Sequence, residues 1–184
     1  MSVHIALVRG INVGGHASVP MAGLRAFFAE LGFRDVHTLL QSGNAVFSGA
    51  SKSAAELETR LQKEAAKRLG LRTEFFVRSA GEWADVVARN PFPNEAQRDP
   101  ARLVVMVVKS APPASAVEAL QAAVRGPEIV RAGGRHLYIT YPDGQGRSKL
   151  TGALIEKKLA TTGTARNWNT VLKLDALANA DADR

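Results

Sequence analysis

Arg9-Gly10-Ile11-Asn12-Val13-Gly14-Gly15 sets a cation, an amide and three glycines within one short stretch near the N-terminus. Glycines without a Cβ admit positive φ and let the backbone approach a ligand closely, so successive N–H groups can cradle an anion. The spacing is neither a dinucleotide-binding fingerprint nor a P-loop with its Lys-Ser/Thr ending. A flexible turn is the plain alternative for such a loop. Tyr141-Pro142-Asp143-Gly144-Gln145-Gly146-Arg147-Ser148-Lys149 has the same character. Ser148 reads as a helix N-cap there, which would put Arg147 and Lys149 at a helix N-terminus. Cations oppose the macrodipole at that end, so the arrangement suits an anion held between them and the unpaired N–H groups. Asp143 is the internal alternative as a partner. Thr161–Thr170 carries a further cation, Arg166, before Asn167, a second cap candidate. Ser42 and Asn44 belong to Gln41-Ser42-Gly43-Asn44. Asn44 either serves the turn or turns its amide toward the opening loop.

The chemistry that these residues support is anion recognition. The candidate binding set is Arg9, Asn12, Gly14, Gly15, Ser42, Asn44, Arg147, Ser148, Lys149, Arg166 and Asn167. Catalytic sets are weak. The chain has no cysteine, which removes disulfides, thiolate metal sites and cysteine nucleophiles. His4, His16, His37 and His136 have no metal-ligand spacing, so no metal is expected. No Gly-x-Ser-x-Gly elbow occurs. His16 is the one acid/base candidate beside the opening loop, and no sequence feature pairs it with a nucleophile. No motif names a cofactor.

These loops must be positioned by regular elements. Val3–Arg9 alternates with Val3, Ile5 and Leu7 on one face, as a half-buried strand does. Pro20 opens a helix with Ser18 as its cap candidate, Met21, Leu24, Phe27, Phe28 and Leu31 as its stripe and Gly32 as its stop. Val36–Gln41 and Asn44–Ser48 read as strands around the Ser42-Gly43 turn. Ser53–Glu56 is a capping box that starts a helix with Leu57, Leu61, Ala65 and Leu69 on one face. Thr73–Arg78 is the next strand. The order βαββαβ is the ferredoxin-like pattern.

Ser79–Glu82 is a second capping box, opening a helix that stops before Pro91. Asn90–Pro100, polar and with three prolines, reads as a connection. Leu103–Val108 is apolar at every position, so it reads as a strand covered on both faces. A helix near Ser115–Val124, a hairpin of Glu128–Arg131 and His136–Tyr141, and helices at Ser148–Leu159 and about Asn167–Ala178 follow. The second half thus lacks an evident last strand. The expectation is an α+β chain of two ferredoxin-like subdomains: 1–79, a helix and linker over 80–101, and 102–184.

Net charge is +7 over 184 residues, and the pI is about 10.1. Between Arg125 and Lys173 nine Lys/Arg face only Glu128, Asp143 and Glu156, whereas residues 51–100 are nearly balanced. The basicity belongs to the C-terminal half and suits nucleic acid, nucleotides or another anionic partner; a solvated face is the plain alternative. No apolar run reaches the length of a membrane span, and the N-terminus lacks signal-peptide character, so a cytoplasmic protein without a membrane partner is expected.

Together, Ala6–Gly15, Gln41–Asn44, Gly146-Arg147-Ser148-Lys149 and Thr164-Ala165-Arg166-Asn167-Trp168 resemble the domain-of-unknown-function family numbered 1697. The order and spacing match over essentially the whole chain. The resemblance implies two α+β subdomains, the first ferredoxin-like, and carries no activity with it. The family commonly has Thr-Thr-Arg-Asn-Trp where this chain has Ala165 in place of the second Thr, so a hydroxyl there is not essential.

Three function classes remain. The first is a binder of an anionic ligand, nucleic acid or a phosphorylated small molecule, at the Gly-rich loops and basic helix starts. The second is an enzyme acting on a phosphate- or carboxylate-bearing metabolite, with backbone N–H groups stabilising an oxyanion. The third is a protein-interaction module. Base stacking is poorly provided for, with 6% aromatic residues, no aromatic on the first expected strand and only Phe47 on the third. Oligomeric state is open.

Overall fold

The computed structural model describes residues 1–12, 14 and 18–182. Val13, Gly15, His16 and Ala17 of the opening loop lie outside the described residues, as do Asp183 and Arg184. The chain divides into two units. One comprises Met1–Asp85 with Lys173–Arg184, the other Val86–Leu172.

The first unit runs β1 (Ser2–Val8), α1 (Met21–Glu30), β2 (Arg34–Leu39), β3 (Asn44–Gly49), α2 (Ala54–Arg68) and β4 (Phe75–Ser79). Its sheet has the order β2-β3-β1-β4 with every pair antiparallel. This is the ferredoxin-like arrangement, in which each helix carries the chain across an intervening strand. The helical stripes meet Ala6, Val8, Ala45, Phe47, Phe75 and Val77 on one sheet face. Phe47 is at the centre, 4.6 Å from Phe33 and 4.9 Å from Phe28 between ring centroids. It is fully buried, so it is no platform for a base.

β1 corrects the expectation of a half-buried strand. Ile5 and Leu7 are buried, and so are Ala6 and Val8 on the opposite face. The alternation fades after His4 because every following position is apolar. Ser18 is also corrected as a cap: Pro20 occupies the N-cap of α1 and no side chain bonds there. Proline pre-sets φ near the helical value, so a helix can begin without a hydroxyl. Both capping boxes form. Ser53 and Glu56 bond reciprocally, and Ser79 N–H reaches Glu82 Oε2 at 2.8 Å while Glu82 N–H reaches Ser79 Oγ at 3.1 Å.

α3 (Ala80–Ala88) follows, and the prolines of the connection start a short helix, α4 (Pro93–Arg98). The second unit then runs β5 (Leu103–Val108), α5 (Ala114–Ala123), β6 (Ile129–Ala132), β7 (His136–Thr140), α6 (Gly152–Leu159) and β8 (Gly163–Asn167), before α7 (Trp168–Ala182). Its sheet order is β6-β7-β5-β8, again antiparallel throughout. The second half therefore has the last strand that the sequence did not reveal. β8 is Gly-Thr-Ala-Arg-Asn, with only Ala165 turned into the apolar core. As an edge strand it pairs with β5 alone, and backbone hydrogen bonds rather than an apolar pattern define it. β5 is buried at all six positions, as its composition requires.

The division between units falls inside α3 and inside α7. No helix among the described residues is long and apolar enough to cross a membrane.

Candidate functional site

The opening loop is held by its own polar groups. The Asn12 amide donates to Val19 O and to Gln41 O, each at 2.8 Å, and its oxygen accepts from Val19 N–H at 2.8 Å. These bonds tie both ends of the loop and the β2–β3 turn together. Asn12 holds φ +55° and Gly14 φ +54°. Arg9 pairs with Glu74 at 2.9 Å, and Thr73 Oγ1 donates to Arg9 O at 2.6 Å. In the β2–β3 turn, the buried Asn44 amide donates to Leu39 O at 2.7 Å and to Ser42 Oγ at 3.1 Å. Asn44 thus serves its own turn, and Asn12 is the residue that bridges to the neighbouring loop. Gly43 has φ +78°, and a Cβ there would stand 2.6 Å from Ile11 Cδ1. A glycine is required because the two loops pack in direct contact.

The loop before α6 is built differently. Gln145–Arg147 form a single 3-10 turn, and Ser148 leaves it in extended backbone. α6 begins at Gly152 with Thr151 as its cap, whose Oγ1 accepts from Leu154 N–H at 3.2 Å. This corrects the placement of Ser148 as N-cap and of Arg147 and Lys149 at a helix start, so the macrodipole argument does not hold for them. The reason lies in the partners of Ser148. Its hydroxyl donates to Glu128 Oε1 and accepts from Leu150 N–H at 3.0 Å, which leaves Thr151 as the next hydroxyl to cap the helix.

Arg147, Ser148 and Lys149 nevertheless converge. They line a cavity of about 470 Å³ within the second unit, together with Arg125, Gly126, Glu128, Asp143 and Lys158. Buried Leu120 and Leu150, with Val124 and Leu154, give it an apolar wall. The four cations are exposed, and among the described residues none makes an ion pair or a side-chain hydrogen bond. Asp143, the internal partner considered for them, takes no ion pair among the described residues either. Glu128 is only 7% exposed. A Cβ on Gly126 would come 2.4 Å from Glu128 Oε2, so the glycine leaves room for that carboxylate. The buried Tyr141 hydroxyl donates to Leu150 O at 3.0 Å. Burial, helped by the charge of Glu128, pushes its pKa up to about 12, so it stays protonated.

Arg166 and Asn167 do not line this cavity. Arg166 sits in β8, 9% exposed, and donates to Thr164 Oγ1 and Ala165 O, both at 2.8 Å. Burial pushes its pKa down to about 10, which still leaves it charged at neutral pH. Asn167 does cap a helix, as expected: its Oδ1 accepts from Thr170 N–H at 3.0 Å at the start of α7. Trp168 is buried and acts as a core anchor.

Arg125, Glu128 and Lys158 were missed by the sequence reading. Their one signal was membership of the basic stretch. Arg125 and Glu128 come from the α5–β6 connection, and only folding brings them to the β7–α6 loop. Gly15, one of the predicted site residues, lies outside the described residues, as does His16. Among the described residues no group of three His, Asp or Glu side chains is placed to hold a metal.

Comparison with known proteins speaks to fold and family. A solved structure described as the conserved bacterial protein SP0830 from Streptococcus pneumoniae matches with a TM-score of 0.75, over 96% of this chain and 98% of that one, at 23% identity. Likeness at that identity carries the fold alone. No curated protein matches the chain. The family model described as protein of unknown function (DUF1697) matches residues 1–138. The matched stretch contains the opening motif and Gln41–Asn44, while Gly146–Lys149 and Thr164–Trp168 lie beyond it. Covering well over half of the sequence, this match establishes that the chain belongs to the DUF1697 family.

Proposed function

We propose that the second unit binds a small organic anion, phosphorylated or carboxylated, in the cavity between the α5–β6 connection, the β7–α6 loop and α6. The observation that carries this reading is the lining itself: Arg125, Arg147, Lys149 and Lys158 stand without ion pairs among the described residues, around a concave space with a leucine wall. Cations focused in a concave, partly apolar site attract anions more strongly than the same charges spread on an open surface. The cavity lies in the size range of small-molecule sites. Among the described residues Glu128 and Asp143 are the only carboxylates in the lining, so the formal balance there is positive.

A small molecule fits better than nucleic acid. Single-strand binding relies on exposed aromatic platforms along a groove. Phe47, Trp83 and Trp168 are all buried. Arg9, Asn12, Ser42 and Asn44 are left out of the proposed site, because their polar groups hold the first unit's loops. The reading is of a cytoplasmic binder, in keeping with a chain that has no cysteine.

Thermal-shift and calorimetric titrations with inorganic phosphate, phenyl phosphate and labelled oligonucleotides, across a salt series, test the proposal. Phenyl phosphate should stabilise the protein, by about 2.7 kcal/mol at a hundredfold excess over Kd. At the same ligand concentration the stabilisation should fall to about 1.4 kcal/mol or less in Arg147→Ala/Lys149→Ala, the mark of an affinity lowered about tenfold or more. Tighter, steeply salt-dependent binding of oligonucleotides would replace this reading with nucleic acid. Absence of any anion binding at low salt would overturn it.

A further inference from the structure

We infer that the ligand of this cavity is amphoteric: an organic anion that also carries an amino group, whose N–H donates to the Glu128 carboxylate while the anionic end meets the exposed cations. The inference rests on the anion-binding reading and adds the second half of the ligand's chemistry. Glu128 lines the cavity at 7% exposure, with no Lys or Arg at ion-pair distance among the described residues. Its Oε2 keeps contact with the solvent of the cavity, where an incoming donor can reach it. An ionised carboxylate has about four lone-pair sites. The Ser148 hydroxyl serves Oε1.

The surroundings hold that carboxylate ready. Ser148 accepts from Leu150 N–H at 3.0 Å, so its own hydrogen is free to point at Glu128. On the other side, Gly126 leaves Oε2 space that any side chain would take, since a Cβ there would stand 2.4 Å away. A simple anion gains nothing from a buried carboxylate beside it and is repelled by it. A ligand with an amino group turns the same carboxylate into a charge-assisted partner, and discrimination between the two follows.

The test compares phenyl phosphate with its 3- and 4-(aminomethyl) derivatives by calorimetry, on the wild type and on Glu128→Gln and Ser148→Ala. In the wild type, at least one aminomethyl probe should bind about tenfold more tightly than phenyl phosphate, as expected for one charge-assisted hydrogen bond. In Glu128→Gln the preference should fall to about twofold or less, and phenyl phosphate should bind more tightly, because a like charge has left the site. Ser148→Ala, which removes the donor to Oε1, should weaken the preference. Equal affinity for all three probes in the wild type overturns the inference while leaving the anion site standing, and this comparison needs no variant to fold. A preference that survives Glu128→Gln overturns it as well. If no phosphate probe binds the wild type, the anion site and the inference fall together.

Discussion

The two units repeat one order of elements, βαββαβ, and both place glycine-rich loops at the ends of their strands, yet those loops do opposite things. In the first unit the polar groups turn inward. Asn12 makes three hydrogen bonds across its loop and to the β2–β3 turn, Asn44 closes its own turn, and Arg9 pairs with Glu74. In the second unit the loop before α6 leaves Arg147 and Lys149 exposed beside a cavity, with Glu128 buried behind them. Glycine and cation content alone does not mark a binding loop. What separates the two cases is whether the polar side chains find partners within the protein.

The sharpest way to break this contrast is in the first unit. Asn12→Ala removes three hydrogen bonds and should destabilise the protein by about 2–3 kcal/mol, read from urea unfolding. A loss below about 0.5 kcal/mol would mean that the loop does not depend on its internal bonds. The second unit should answer in the opposite way. Arg147→Ala and Lys149→Ala should each leave stability within about 0.5 kcal/mol and together weaken phenyl phosphate binding about tenfold or more, whereas Arg9→Ala should leave that binding unchanged.

Helix caps sharpen the comparison at smaller scale. Ser53→Ala in the first unit and Thr151→Ala in the second should each cost about 1 kcal/mol. Ser18→Ala should stay within about 0.5 kcal/mol, since Pro20 is the N-cap residue of α1. A Ser148→Ala cost larger than that of Thr151→Ala would return the capping role to Ser148.

The smallest expected effect is on pH dependence. Burial lowers the pKa of His4, which stacks on Phe47 in the first unit. Above its ordinary value of 6.5, both folded and unfolded chains hold it neutral, and it contributes no pH dependence. As pH falls below 6.5 the unfolded chain takes up a proton that the folded chain resists, so stability declines until the folded pKa is passed. His4→Gln should flatten the stability profile in that window. Glu56 and Glu64 have depressed carboxyl pKa values, from bonds to Ser53 and Arg68, so their contribution is lost only below the ordinary value of 4.5.

Much of this architecture was legible in the residues. The stripe of Leu24, Phe27 and Phe28, the boxes at Ser53 and Ser79 and the all-apolar run of β5 each encode local structure in a few neighbours, and each formed where its pattern lies. β8 escaped because Gly-Thr-Ala-Arg-Asn has no apolar period. Its strand character comes from pairing with β5, some sixty residues earlier in the chain. At the site, the sequence pointed to Arg147 and Lys149 through a helix start that lies instead at Thr151–Gly152. The two residues do converge on a cavity, but by a different route.

By itself the sequence determined the order of nearly all elements, the helix caps at Ser53, Ser79 and Asn167, and the excess of cations in the C-terminal half. Those properties depend on near neighbours or on composition, and no distant segment is needed to express them. Only the tertiary structure decided which glycine loop closes on itself and which borders a cavity. It also paired Glu128 with Ser148, twenty residues apart, and left Arg125 and Lys158 beside Lys149. Concavity, burial and the satisfaction of a carboxylate are relations between distant segments, and they exist only once the sheet has brought those segments together.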